Sequence, residues 1–119
     1  MRNTGLRAAA DAYLESCFAA MTPPRISELA LRLDMTPTTL ARAFARETGG
    51  SLSGYLKTAR VRRAQELLRS TSLDMITIAA ASGFGTSMTF FRAFKSATGI
   101  TPQQYRTRAG SDPDASRLY

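Results

Sequence analysis

Arg42 and Arg92 each open the same tripeptide, Arg-Ala-Phe, fifty residues apart. A guanidinium is a planar fork of N–H donors. It suits bidentate pairing with a flat acceptor edge such as a carboxylate, a phosphate or the O6/N7 edge of guanine. The repetition extends beyond the arginines. Thr48-Gly49 matches Thr98-Gly99 and Tyr55 matches Tyr105 at the same offset of 50. Upstream, Leu29-Ala30 matches Ile78-Ala79 and Met35 matches Phe84 at an offset of 49, so the second copy carries one extra residue in its turn. Two copies are too few for a solenoid array. A duplicated helix-turn-helix is the better reading.

Other chemistries are excluded by what the chain lacks. It has no histidine and a single cysteine, Cys17. That removes Ser-His and Cys-His catalysis, histidine-based metal sites and any internal disulfide. Cys17 falls in a helical apolar pattern and reads as a small core residue. No nucleophile-base pair can be assembled, so no enzyme is expected, and no cofactor. The formal charge is +7, from 16 basic and 9 acidic residues, and 14 of the basic residues are arginine. Between Met75 and Ser111 there is no acid at all, while Arg92, Lys95, Arg106 and Arg108 lie there. A one-sided basic stretch attracts polyanions, nucleic acid above all, although a plain solvated surface would look the same. No apolar run approaches a membrane span and no signal peptide opens the chain, so a cytoplasmic protein without membrane contact is expected.

The elements that must carry these arginines follow from periodicity. A first helix, about Thr4 to Met21, places Leu6, Ala9, Ala10, Tyr13, Leu14, Cys17 and Phe18 on one stripe, and Thr22-Pro23-Pro24 ends it. A second runs from Ile26 to Leu33. Asp34-Met35-Thr36-Pro37 is a turn and restart, with Thr36 as N-cap and Pro37 at the first helical position. The third helix runs to Thr48, and Gly49 terminates it. Leu40 and Phe44 face inward, so Thr38, Arg42, Ala45 and Arg46 point outward. Arg42 could then pair with guanine, and Thr38 or Thr39 could touch a thymine methyl. Two ordinary surface arginines would occupy the same places.

Ser51 caps a fourth helix, about Leu52 to Arg69, packed through Leu56, Ala59, Arg60, Ala64, Leu67 and Leu68. Its eighteen residues span roughly 27 Å, a workable spacer between units reading successive major grooves about 34 Å apart. After a polar break at Ser70 to Asp74 come a fifth helix, about Met75 to Ser82, the turn Gly83-Phe84-Gly85, and a sixth helix, about Thr86 to Thr98. Phe90 and Phe94 form its core pair, while Met88, Arg92 and Lys95 point outward. Thr101-Pro102-Gln103-Gln104 is a capping-box pattern for a last short helix, with Tyr105 packing back. The division expected is 1–50 and 71–108 for the two helix-turn-helix subdomains, with motifs at about 26–48 and 75–98. Residues 51–70 form the linker helix and 109–119 a disordered tail.

On these residues the chain resembles the DNA-binding domain of the AraC/XylS family of bacterial transcription regulators, over about Arg7 to Arg108. The signature lies in the second unit: Ile78-Ala79, Gly83-Phe84, Phe90, Arg92-Ala93-Phe94-Lys95, Gly99, Pro102 and Tyr105-Arg106. The segment Arg60 to Leu68 resembles the family's connecting helix. The resemblance implies an all-α fold of seven helices in two homeodomain-like subdomains, with the third and sixth helices entering successive major grooves of double-stranded DNA. Family base-reading positions fall on Thr38, Ala41 and Arg42, and on Ser87, Met88, Phe91 and Arg92. Phosphate contacts would come from helix N-termini near Thr36, Thr86 and Thr101, and from Arg46 and Lys95.

There are departures from the family pattern. Met88 and Phe91 are apolar where polar residues are usual. They could contact thymine methyls, Phe91 could be buried against neighbouring structure, or the second unit could mainly hold the backbone while the first reads sequence. The last option is favoured at this point. Gly85-Thr86 replaces a common Ser-Asp, which puts the cap of the sixth helix in doubt, and Thr77 stands where an acid is frequent. The implied protein is a nucleoid-associated bacterial activator that touches RNA polymerase and binds DNA as a monomer. It is either a stand-alone regulator or the C-terminal part of a longer protein that could dimerise. The competing readings are a non-specific architectural DNA binder and a helical interaction module anchored by Met88 and Phe91.

Overall fold

A computed structural model describes residues 5–111, and everything regular in it is helical. The order is α1 (Leu6–Ala20), α2 (Ile26–Arg32), α3 (Pro37–Thr48), α4 (Leu52–Ser70), α5 (Met75–Ala81), α6 (Ser87–Thr98) and α7 (Pro102–Ser111). Residues 1–4 and 112–119, with most of the expected tail, lie outside the described residues. Residues 109–111, expected in that tail, instead continue α7. The polar composition and Gly110 both suggest a stop there, yet the helix passes through Gly110. The turn of helix opened by the Thr101 cap simply runs on.

Two apolar cores share one helix. The first gathers Ala10, Tyr13, Leu14 and Cys17 of α1 with Leu29, Ala30, Leu40 and Phe44. The second gathers Ile78, Ala79, Phe84, Phe90, Phe94 and Tyr105. Leu52 and Leu56, in the first turns of α4, belong to the first core, while Val61, Ala64 and Leu68 belong to the second. The fourth helix is therefore a wall of both units rather than a bare spacer. Leu52 and Val61 were not among its expected packed positions, because its two ends face different partners and no single stripe describes it.

The repeat is kept in detail. Met35 N–H donates to Ala30 O at 2.9 Å, and Phe84 N–H donates to Ala79 O at 2.9 Å. The additional residue in the second turn is Gly85, with φ +87°, whose N–H shares the same Ala79 carbonyl at 3.3 Å. Gly49 and Gly99 both end their helices at φ +84°. In α1 that role falls to Met21, at φ +58°, and Thr22 N–H closes back on Cys17 O at 3.0 Å. A left-handed methionine carries no sequence signal for a stop, so the proline pair after it was the only legible one.

Candidate nucleic-acid interface

Each recognition-type helix is fixed at its start by a threonine. Thr36 Oγ1 accepts from Thr39 N–H at 3.1 Å, and Thr86 Oγ1 accepts from Thr89 N–H at 3.1 Å. The cap doubted at Gly85-Thr86 is present, because Thr86 sits at the extended position that a cap requires, with φ −105° and ψ 156°. In both units the capping hydroxyl also pairs with the hydroxyl three residues on, at 2.8 Å to Thr39 and 3.0 Å to Thr89. The Thr39 hydroxyl is thus turned to the cap, which leaves Thr38 the freer of the two threonines on that turn. At Thr101 the capping box closes in both directions: Gln104 N–H donates to Thr101 Oγ1 at 3.1 Å, and Thr101 N–H donates to Gln104 Oε1 at 2.9 Å.

The caps hold the outward faces in register. Thr38, Ala41 and Arg42 of α3 are exposed, and so are Ser87, Met88, Phe91 and Arg92 of α6. At the repeat offset of 50, Thr38 corresponds to Met88, Ala41 to Phe91 and Arg42 to Arg92. Phe91 is 47% exposed and Met88 63%, so the option that Phe91 is buried against neighbouring structure does not hold. The second core is already filled by an aromatic chain: Phe84 to Phe90 at 5.5 Å, Phe90 to Phe94 at 5.7 Å, and Phe94 to Tyr105 at 5.6 Å between ring centres.

The basic side chains divide into two groups. Arg42, Arg46, Arg92 and Lys95 are exposed, with no side-chain hydrogen bond or ion pair to another described residue. Others are structural. Arg106 reaches back to the C-terminal end of α4, donating from Nη2 to Thr71 O at 3.2 Å and from Nε to Leu68 O at 3.4 Å. Arg69 Nη1 donates to the Tyr105 hydroxyl at 2.9 Å. Arg60 is half-buried between the units, and desolvation lowers its guanidinium pKa from the ordinary arginine value. The sequence placed Arg69 only at the end of the linker helix and Arg106 in a basic stretch. Only the fold shows which carbonyls and rings they meet.

The two units also touch directly. A Cβ on Gly83 would lie 3.1 Å from Pro24 Cδ, and one on Gly85 would lie 3.4 Å from Pro23 Cγ. The prolines that stop α1 therefore pack against the turn of the second unit. Among the described residues no group of three or more metal-ligating side chains occurs, and no helix is long and apolar enough to cross a membrane.

A helix-turn-helix domain model matches residues 29–108. The chain belongs to the AraC-type helix-turn-helix transcription regulators. It is 40% identical over 82 residues to an HTH-type transcriptional regulator of Mycobacterium tuberculosis, covering 69% of this chain and 32% of that protein. It is also 40% identical over 72 residues to the HTH-type transcriptional activator RhaR of Cronobacter sakazakii, covering 60% of this chain and 25% of that one. The chain thus spans about a third or less of these relatives' length. Among solved structures it is similar to the DNA-binding domain of the global transcriptional factor AdpA in complex with a target DNA, with TM-score 0.78, 27% identity, and coverage of 91% and 96%. The C-terminal domain of the response regulator yesN from Fusobacterium nucleatum superposes with TM-score 0.76 at 29% identity, covering 84% and 96%. The matched region is the helix-turn-helix domain of these transcription regulators, not a catalytic domain.

Proposed function

We propose that this chain binds double-stranded DNA sequence-specifically by laying α3 and α6 into successive major grooves. Thr38, Ala41 and Arg42 read one half-site, and Ser87, Met88, Phe91 and Arg92 read the other. Arg46, Lys95 and the capped N-termini at Thr36, Thr86 and Thr101 hold the phosphates. The observation that carries this reading is the repeated pair of capped helices presenting Arg42 and Arg92 outward at equivalent positions, on units packed into one body. The 19 residues of α4 give about 28 Å of rigid wall, within the 45 Å long axis of the molecule. That is compatible with grooves about 34 Å apart.

The chain acts as a monomer on the bacterial nucleoid in this reading and favours activation through contact with RNA polymerase. The test is selection from random duplex DNA, followed by titration of the enriched site at several salt concentrations. Two informative blocks about one helical turn apart support the two-headed reading. Equal affinity for the winner and for random DNA overturns it in favour of an architectural binder.

A further inference from the structure

Phe91 is the one exposed aromatic side chain among the described residues, and Met88 lies one turn before it on the same face of α6. Neither is needed by the core, which Phe84, Phe90, Phe94 and Tyr105 already fill. Together they form a wall of a shallow, mainly apolar cleft of about 520 Å³, lined also by Met75, Phe90 and Pro102 and by the polar Ser87, Arg92 and Gln103. In the first unit the equivalent positions carry Thr38 and Ala41, and no comparable apolar surface is exposed on α3. An exposed apolar face on an element that otherwise presents Arg92 and Lys95 needs an apolar partner within a polyanionic surface. The major groove offers one such group: the methyl at C5 of a pyrimidine.

Resting on the two-headed reading above, we infer that the second unit reads C5-methyl groups, with Met88 and Phe91 packing on them and Arg92 alongside on a neighbouring base or phosphate. The half-site under α6 then contains at least one thymine whose methyl contributes to affinity, and 5-methylcytosine presents the same group at the same place. The second unit is a sequence reader in its own right. This departs from the expectation that it mainly holds the backbone.

The probe is the enriched duplex itself with thymines replaced by uracil one at a time, which removes the methyl and leaves pairing and O4 unchanged. At one or two positions under α6, affinity should fall about fourfold, the factor for one buried methyl. Cytosine at that position should bind weakly, and 5-methylcytosine there should recover part of the loss. Met88→Ala/Phe91→Ala should erase the thymine–uracil difference while leaving the salt slope intact. Both side chains are exposed, so the fold should survive the change, and circular dichroism checks this. A second variant, Phe91→Leu, keeps an apolar contact and should retain part of the difference.

Indifference to uracil throughout that half-site, or a difference that persists in the double variant, overturns the inference and leaves the apolar face to a protein partner. If no site is enriched at all, the two-headed reading falls first and takes this inference with it. The two failures are thereby distinguishable.

Discussion

The guanidinium of Arg60, on α4, lies 4.9 Å from the centre of the Phe84 ring in the turn of the second unit. Its stem lies against the Gly83 position, where a Cβ would be 3.4 Å from Arg60 Cγ and Cδ. Arg60 Nε also donates to Leu56 O at 3.4 Å. A cation held over an aromatic face in a partly desolvated seam stabilises by about 0.5–2 kcal/mol, and the stem adds packing. Arg60→Ala should therefore lower unfolding stability by about 1–2 kcal/mol in urea denaturation, while Arg60→Met, which keeps the stem, should lose about half as much. Equal losses in the two variants would assign the whole effect to charge.

The same seam makes one glycine irreplaceable and its repeat partner replaceable. Gly83 has φ +81° and is buried against Pro24 and Arg60, whereas the equivalent Asp34 has φ +59° and is exposed. Gly83→Ala should cost about 1–3 kcal/mol, from left-handed strain together with displacement of the prolines. Asp34→Gly relieves similar strain but loosens the unfolded chain, so it should fall within about 0.5 kcal/mol of the parent. A Gly83→Ala cost no larger than the roughly 1–2 kcal/mol of left-handed strain alone would mean that the seam contributes nothing.

Much of the fold was legible because each repeat carries its own punctuation: Thr36-Pro37, Gly49, Ser51 and Gly99 mark helix ends by their own backbone chemistry. Leu40, Phe44, Phe90 and Phe94 marked the cores by spacing. Long-range roles were not legible. The contacts of Pro23 and Pro24 with the second turn, Arg60 over Phe84 and Arg106 on the α4 carbonyls each join residues far apart in sequence, and no local pattern encodes them. At the interface, outward faces could be read from helical period, but the exposure of Phe91 depended on whether Phe90, Phe94 and Tyr105 left it room.

Asp74 is a cap that sequence reading left in a polar break. Its Oδ1 accepts from Thr77 N–H at 2.7 Å, and hydrogen bonds from Thr77 hold its carboxyl below the usual aspartate pKa. A depressed folded pKa means stability that is present above the unfolded value of about 3.9 and lost as pH falls through the folded one. Asp74→Asn keeps an acceptor but cannot titrate. The stability difference between parent and Asn variant should be largest near neutrality and shrink on acidification below that unfolded value. Urea midpoints across the acid range check this, and a difference independent of pH would remove the charge from the account.

Arg42 and Arg46 lie on the same helix but have different expected roles. Arg42→Ala should cost about 1–3 kcal/mol on the preferred site and relax selection at one base pair. Arg46→Ala should weaken binding evenly across sequences and reduce the salt slope by about 1. Competition titrations with single-base variants of the site separate the two patterns. A uniform loss from Arg42→Ala would reassign it to the phosphates.

Glu47, at the end of α3, caps the neighbouring helix α1. Its Oε2 accepts from Leu6 N–H at 2.8 Å and from Arg7 N–H at 3.3 Å. α1 has no side-chain cap of its own, because its N-cap residue is Gly5. That glycine is what lets the carboxylate in, since a Cβ there would lie 2.6 Å from Glu47 Oε2. Gly5 has φ −70°, so alanine is tolerated by the backbone itself. Glu47→Ala should lower stability by about 0.5–2 kcal/mol, as loss of an N-cap does. Gly5→Ala should approach the same loss by displacing the carboxylate, and the double variant should cost little more than either single one. A double-mutant cycle in urea denaturation reads the coupling, and strict additivity would mean that the two residues act on α1 separately. Because neither residue is on the outward face of α3, the preferred DNA site should be unchanged in all three variants.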